Sequence, residues 1–131
     1  MDKGGRMSCN SWTGVTLTVF GKEHYDELAK WAKRHPVRLV DDICGCLVVS
    51  WEWTYGWFDR NMDELRKMLE DLHVPCEKWE AEVSYRYYDE PETDGSYVDF
   101  RIVGGKAVDW KESRMVMVDC EPQYEFDLKG E

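Results

Sequence analysis

Residues 79–87 read Trp79-Glu80-Ala81-Glu82-Val83-Ser84-Tyr85-Arg86-Tyr87, and their strict alternation decides the fold. Trp79, Ala81, Val83, Tyr85 and Tyr87 share one face, while Glu80, Glu82, Ser84 and Arg86 share the other. Period two over so many residues is the pattern of a half-buried strand, and it extends across 76–88.

Working back from this strand, Met62, Leu65, Met68, Leu69 and Leu72 form one apolar stripe at helical spacing. Asn61 and Glu64 stand at capping-box spacing before it, and Pro75 stops it because Val74 is disfavoured in helical geometry. A loop over 54–60, containing Gly56, precedes this helix. Before the loop, the run Cys46-Leu47-Val48-Val49-Ser50-Trp51-Glu52-Trp53 is strongly β-forming. Val37, Leu39 and Val40 predict a short strand, followed by a turn that begins at Asp41-Asp42 and closes near Gly45. From Lys22 to Arg34, Tyr25, Leu28, Ala29 and Ala32 recur at helical spacing, with Lys30, Lys33 and Arg34 where cations suit the helix dipole. Val15, Leu17 and Val19 alternate with Thr16 and Thr18 as a further strand stopped by Gly21, and residues 1–13 read as a frayed lead.

Downstream, Pro91 to Gly95 is a turn, Tyr97–Val103 a strand, Gly104-Gly105 a hairpin turn and Lys106–Trp110 its partner. Met115–Val118 suggests one more short strand, and the last dozen residues read as loose and acidic. The order is strand, helix, strand, strand, helix, strand. It predicts an α+β class and a ferredoxin-like βαββαβ antiparallel sheet, with two helices on one face and a C-terminal β-hairpin extension. The chain reads as one domain over 1–131: a lead over 1–13, a core over 14–88, a β-extension over 89–120 and an acidic tail over 121–131.

The stretch Tyr87-Tyr88-Asp89-Glu90-Pro91, then Gly95-Ser96-Tyr97, then Gly104-Gly105-Lys106 resembles the tail of the YubB-type ferredoxin-like proteins of plasmids and phages. Leu17-Thr18-Val19-Phe20-Gly21 is similar to their first strand and turn, and the likeness covers about half the chain. Glu92 departs from it, standing where that family usually has glycine. The family has no established activity. The resemblance therefore implies a fold and a mobile-element origin and carries over no catalytic residue.

At 131 residues the chain suffices for one ordinary core, and 43% hydrophobic residues with seven Trp exclude a disordered protein. No run approaches a membrane span, and Met1–Arg6 lacks the apolar segment of a secretory signal, so a cytoplasmic protein is expected. Five scattered cysteines in such a compartment read as free thiols. Cys44 and Cys46 would share a face if both lay on one strand, and could then reach one metal. No spacing supplies the two further ligands, so no metal and no cofactor are expected.

Charge carries the functional expectation. Residues 76–131 hold 15 Asp/Glu against 7 Lys/Arg, a net of −8 out of the chain's −10. Asp89, Glu90, Glu92, Asp94 and Asp99 fall within eleven positions. Such a surface repels nucleic acid and attracts basic partners, and neither an RNP-like motif nor a basic path opposes that conclusion. No G-x-S-x-G, P-loop or Rossmann glycine pattern occurs, and among 27 acids adjacent pairs such as Asp41 with Asp42 arise without design. His24, His35 and His73 sit near helix ends, where capping or packing accounts for them.

The first expectation is therefore a non-enzymatic, phage- or plasmid-encoded inhibitor. It would place a nucleic-acid-mimicking surface on the basic face of a nucleic-acid-handling defence complex, as an anti-CRISPR protein does. Glu80, Glu82, Asp89, Glu90, Glu92, Asp94 and Asp99 would supply charge, with Trp57, Tyr88 and Tyr97 as aromatic anchors. The alternative is a small-molecule-binding regulatory domain with a pocket at Trp51–Phe58. An enzyme using Cys44, Cys46 or carboxylates has no supporting motif. Trp51 and Trp53 are expected under the helices, whereas Trp57 and Tyr55 fit surface and core-edge positions equally well.

Overall fold

The computed structural model describes residues 11–87, 96–113 and 118–129, without the side chains of 39–43, 96, 113 and 118. The class is α+β. Strands β1 (Ser11–Phe20), β2 (Arg38–Ile43), β3 (Cys46–Trp53), β4 (Trp79–Tyr87), β5 (Ser96–Val103), β6 (Lys106–Ser113) and β7 (Val118–Asp119) form one sheet in the order β2-β3-β1-β4-β5-β6-β7. Every neighbouring pair is antiparallel. Helix α1 (Tyr25–Arg34) connects β1 to β2, and α2 (Phe58–Glu70) connects β3 to β4.

Alternation built the strands as read. Val15, Leu17 and Val19 of β1, Leu47, Val49 and Trp51 of β3, and Trp79, Ala81, Val83 and Tyr85 of β4 are buried on the face the helices cover. The helices contribute Leu28 and Trp31 from α1 and Met62, Leu65, Met68 and Leu69 from α2. They are tied to each other where the Trp31 indole N–H donates to the Met68 carbonyl at 2.8 Å.

Five local expectations are corrected. The lead does not extend to residue 13, because β1 begins at Ser11: the Ser11 hydroxyl donates to the Gly56 carbonyl and Thr13 is fully buried. The turn after β2 is not at Asp41-Asp42. The strand runs through a bulge to Ile43, and the two-residue turn is Cys44-Gly45, with φ of 52° and 85° as a type I′ hairpin demands. Cys44 is thus an exposed turn residue and not a strand neighbour of Cys46, which removes the premise for their reaching one metal.

Asn61 is not a cap either. Helix α2 starts three residues earlier, behind Trp57, and Asn61 is buried in its first turns. The sheet strand at the end of the 76–88 run starts only at Trp79, after a single 3-10 turn over Cys76–Lys78. Finally, the tail is not loose. Phe126 and Leu128 are buried in the core, and the Leu128 N–H donates to the Gly105 carbonyl at 3.0 Å.

The tail's position has a physical cause. On the covered side β5 and β6 present Phe100, Ile102 and Trp110, which the helices meet only at their edge, where Phe58 of α2 lies 6.0 Å from the Trp110 ring. The segment 124–128 covers them: Phe126 packs 5.8 Å from the Phe100 ring, and Tyr124 lies 4.9 Å from Phe126. Phe100 itself stacks on Trp110 at 4.3 Å and 17°. That stacking uses a bulge in β6, where Asp109 adopts φ 55° and turns Trp110 inward. The predicted hairpin turn at Gly104-Gly105 is present, with φ of 61° and 82°. Of the predicted strand at 115–118, only Val118 lies within the described residues, as the start of β7.

Candidate functional site

The face of the sheet opposite the helices carries no covering element among the described residues, so its side chains are the candidate surface. Strand register orders them into lateral rows. One row runs Arg38, Ser50, Thr16, Glu82, Arg101, and the next runs Glu52, Gly14, Ser84, Asp99, Lys111. Trp12, Arg86 and Tyr97 form a third.

Over the β-extension this face is an ion-pair lattice. The Arg86 guanidinium donates to both carboxylate oxygens of Asp99, at 2.7 and 3.2 Å, and also to its neighbour's carbonyl on Tyr85. It lies 4.8 Å above the Tyr97 ring. Arg101 donates to Glu80 and to Asp109, each at 2.8 Å, and these two bonds hold its guanidinium more firmly protonated than usual. Cross-strand pairs of this kind fix the register of adjacent strands more than they add net stability.

Of the residues singled out in the sequence, Glu80 and Asp99 are therefore engaged by arginines, while exposed Glu82 makes no ion pair with a described residue. Tyr97 is part of the Arg86–Asp99 cluster. Trp57 is 49% exposed and packs 5.5 Å from Tyr87, and Tyr55 beside it is 58% exposed. Both rings therefore take the surface position. Tyr88, Asp89, Glu90, Glu92 and Asp94 lie outside the described residues. Trp51 is in the core as expected, 5.6 Å from Trp31, and Trp53 is half-buried with its N–H donating to Glu64 at 2.7 Å.

Beside the lattice, toward β2, the face hollows into a groove of about 570 Å³. Its floor is made of Gly14, Thr16, Ser50 and Ser84, all small. The Trp12 indole folds back over Gly14, where a Cβ would collide with the ring, and its N–H donates to Glu52 at 2.8 Å. Arg38 and Glu82 stand at opposite sides of the groove. Trp12 falls within 1–13, the stretch expected as a lead, and so is not among the expected site residues. The spacing Trp12-x-Gly14 on one strand face was the signal available.

A second hollow of about 370 Å³ lies between the end of β3 and the start of α2, lined by Trp51, Trp53, Tyr55, Arg60, Asn61 and Glu64 among others. The buried indole N–H of Trp51 has no hydrogen-bond partner among the described residues. Among the described residues no group of three or more His, Cys, Asp and Glu side chains is placed to hold a metal ion, and no helix is long and apolar enough to cross a membrane. No protein-family model, no curated protein and no solved structure matches this chain.

Proposed function

We propose that this protein is a non-enzymatic interaction domain that occupies a basic, nucleic-acid-binding surface of another protein and thereby inhibits it. The carrying observation is the net −8 within residues 76–131, a region that includes folded strands and a packed tail. A dense set of carboxylates can complement the positive potential of a phosphate-binding surface. The ion pairs narrow which acids serve. Glu80 and Asp99 are already neutralised by Arg101 and Arg86, so docking charge falls to Glu82, Asp89, Glu90, Glu92 and Asp94, with Trp57, Tyr88 and Tyr97 as the aromatic contacts.

We also infer a ferredoxin-like core over β1 to β4. It is supported by the order β2-β3-β1-β4, and by β1 with β2 and β3 with β4 each running parallel around one intervening strand. The resemblance to YubB-type proteins supports a phage or plasmid origin, and the acid excess supports a host nucleic-acid-binding defence complex as the target. The test is binding to purified nucleic-acid-binding defence effectors at low and high salt, with DNA as competitor. A steep loss of affinity with salt, displacement by DNA, and loss on reversing Glu82, Asp89, Glu90, Glu92 and Asp94 to Lys are expected. Salt-independent binding that survives the reversal overturns the reading.

A small-molecule-binding regulatory role is the second reading, supported by the 370 Å³ hollow that Trp51, Trp53 and Tyr55 line. A metabolite that raises the melting temperature of the wild type but not of Arg60→Ala would favour it.

A further inference from the structure

We propose that the groove between Arg38 and Glu82 binds a short peptide through both of its free termini. Arg38, Ser50, Thr16 and Glu82 are directly opposed across four adjacent strands, β2, β3, β1 and β4. Three strand spacings put the Cα atoms of Arg38 and Glu82 about 14 Å apart. The two charges do not pair with each other, and neither has another ion-pair partner among the described residues. Their neighbours differ: Arg86 is satisfied by Asp99, and Arg101 by Glu80 and Asp109. The groove therefore has one open cationic side and one open anionic side over a floor of hydroxyls and a glycine.

A zwitterion of the right length joins them. Side chains stand roughly perpendicular to a sheet, so the charged ends keep a separation of about 14 Å. Allowing about 3 Å for each charge-assisted contact leaves about 8 Å between the ligand's charged groups. A single amino acid is too short to span this, whereas three extended residues reach about 10 Å. The terminal carboxylate would face the Arg38 guanidinium and the terminal ammonium Glu82. The hydroxyls of Ser50 and Thr16 lie between them in the same row, where the peptide's own amides need partners. The Trp12 indole, pinned by Glu52, forms a fixed wall whose face tolerates the nearby ammonium.

The probe is trialanine, titrated into the protein labelled with nitrogen-15, with Trp12→Phe used to assign the Trp12 indole resonance. Trialanine should shift the Trp12 indole, Thr16 and Ser50 signals. N-acetyl-trialanine and trialanine amide should each bind about tenfold or more weakly, one charged contact being lost. Arg38→Gln and Glu82→Gln should weaken trialanine by similar factors, and Lys111→Gln should not. Glu82→Gln should cost the acetylated peptide nothing further, and Arg38→Gln should cost the amide nothing further. The proposal is overturned if trialanine shifts none of these signals at about 10 mM, or if the capped peptides bind as well as the free one. It does not depend on the acidic docking reading, which is tested separately by reversing Asp89, Glu90, Glu92 and Asp94 with Glu82 and Arg38 intact.

Discussion

The carboxamide of Asn61 donates to the hydroxyl of Thr13 at 2.9 Å, joining the first turns of α2 to β1 across 48 residues of sequence. Both residues are buried, and the same amide reaches the carbonyls of Tyr55 and Gly56 at 3.2 and 3.4 Å. The loop before α2, the helix and the central strand are thereby locked by one polar side chain. Gly56, at φ 104°, gives that side chain room, since a Cβ there would lie 2.5 Å from the Asn61 carbonyl oxygen.

Asn61→Ala should therefore cost about 1–3 kcal/mol, because it takes the partner from the buried Thr13 hydroxyl and from the Tyr55 carbonyl, while the Gly56 carbonyl keeps the Ser11 hydroxyl. Thr13→Val should cost less, since the Asn61 amide retains its two backbone acceptors. Urea unfolding of both single variants and the double variant checks the ranking, and the double variant should fall short of the sum. Full additivity would mean that the bond does not couple the two sites.

Phe126→Ala should destabilise by about 3–5 kcal/mol, the range for emptying a buried phenylalanine site. Glu125→Ala, one residue away and exposed, should change stability by less than about 0.5 kcal/mol. A tail that merely solubilised the protein would give two equal, small effects. Denaturant midpoints at matched slopes decide between these outcomes.

Asp71 accepts from Arg34 at 2.9 Å and contacts the His35 ring nitrogen at 2.9 Å, and these hydrogen bonds hold its carboxyl below the ordinary value of 3.8. A depressed carboxyl stabilises the fold above its unfolded value and loses that contribution as pH falls through its folded value. The loss should therefore fall below about pH 4. Asp71→Asn should be less stable than wild type at neutral pH, with the gap closing on acidification. A gap that stays constant down to acid unfolding would exclude this linkage.

Burial of the Tyr85 phenol raises its pKa to about 12, with smaller contributions from Tyr87 and Asp59. The unfolded chain ionises this group near 10, so stability should be intact below that pH and decline as pH rises toward 12. Tyr85→Phe should flatten the alkaline arm of the stability profile. Phenolate absorbance in the folded wild type should also show one tyrosine resisting ionisation that the variant lacks. Identical alkaline profiles would show that the phenol ionises as in the unfolded chain.

The strands and helices were legible because each has a strong single period. The Trp79–Tyr87 alternation and the Met62–Leu72 stripe name their own buried faces, and the hairpin glycines at 104 and 105 name their turn. Errors arose where a polar residue has two uses. Asn61 carries the signature of a cap but is taken into the core by Thr13, a partner 48 residues away. Asp41-Asp42 looks like a turn, yet an edge strand tolerates carboxylates, and Cys44-Gly45 takes the positive φ angles.

Sequence by itself determined the α+β class, the order of elements and the acid excess of the back half, because periodicity and composition are local sums. Tertiary structure alone decided how those charges are spent. Register set Arg86 beside Asp99 and Arg101 beside Glu80, and left Arg38 and Glu82 on opposite sides of a groove. It also folded an acidic tail over Phe100 and Trp110, because the helices leave most of the apolar side of β5 and β6 without cover. Pairing across a sheet depends on which strands become neighbours, and that is a property of the whole chain.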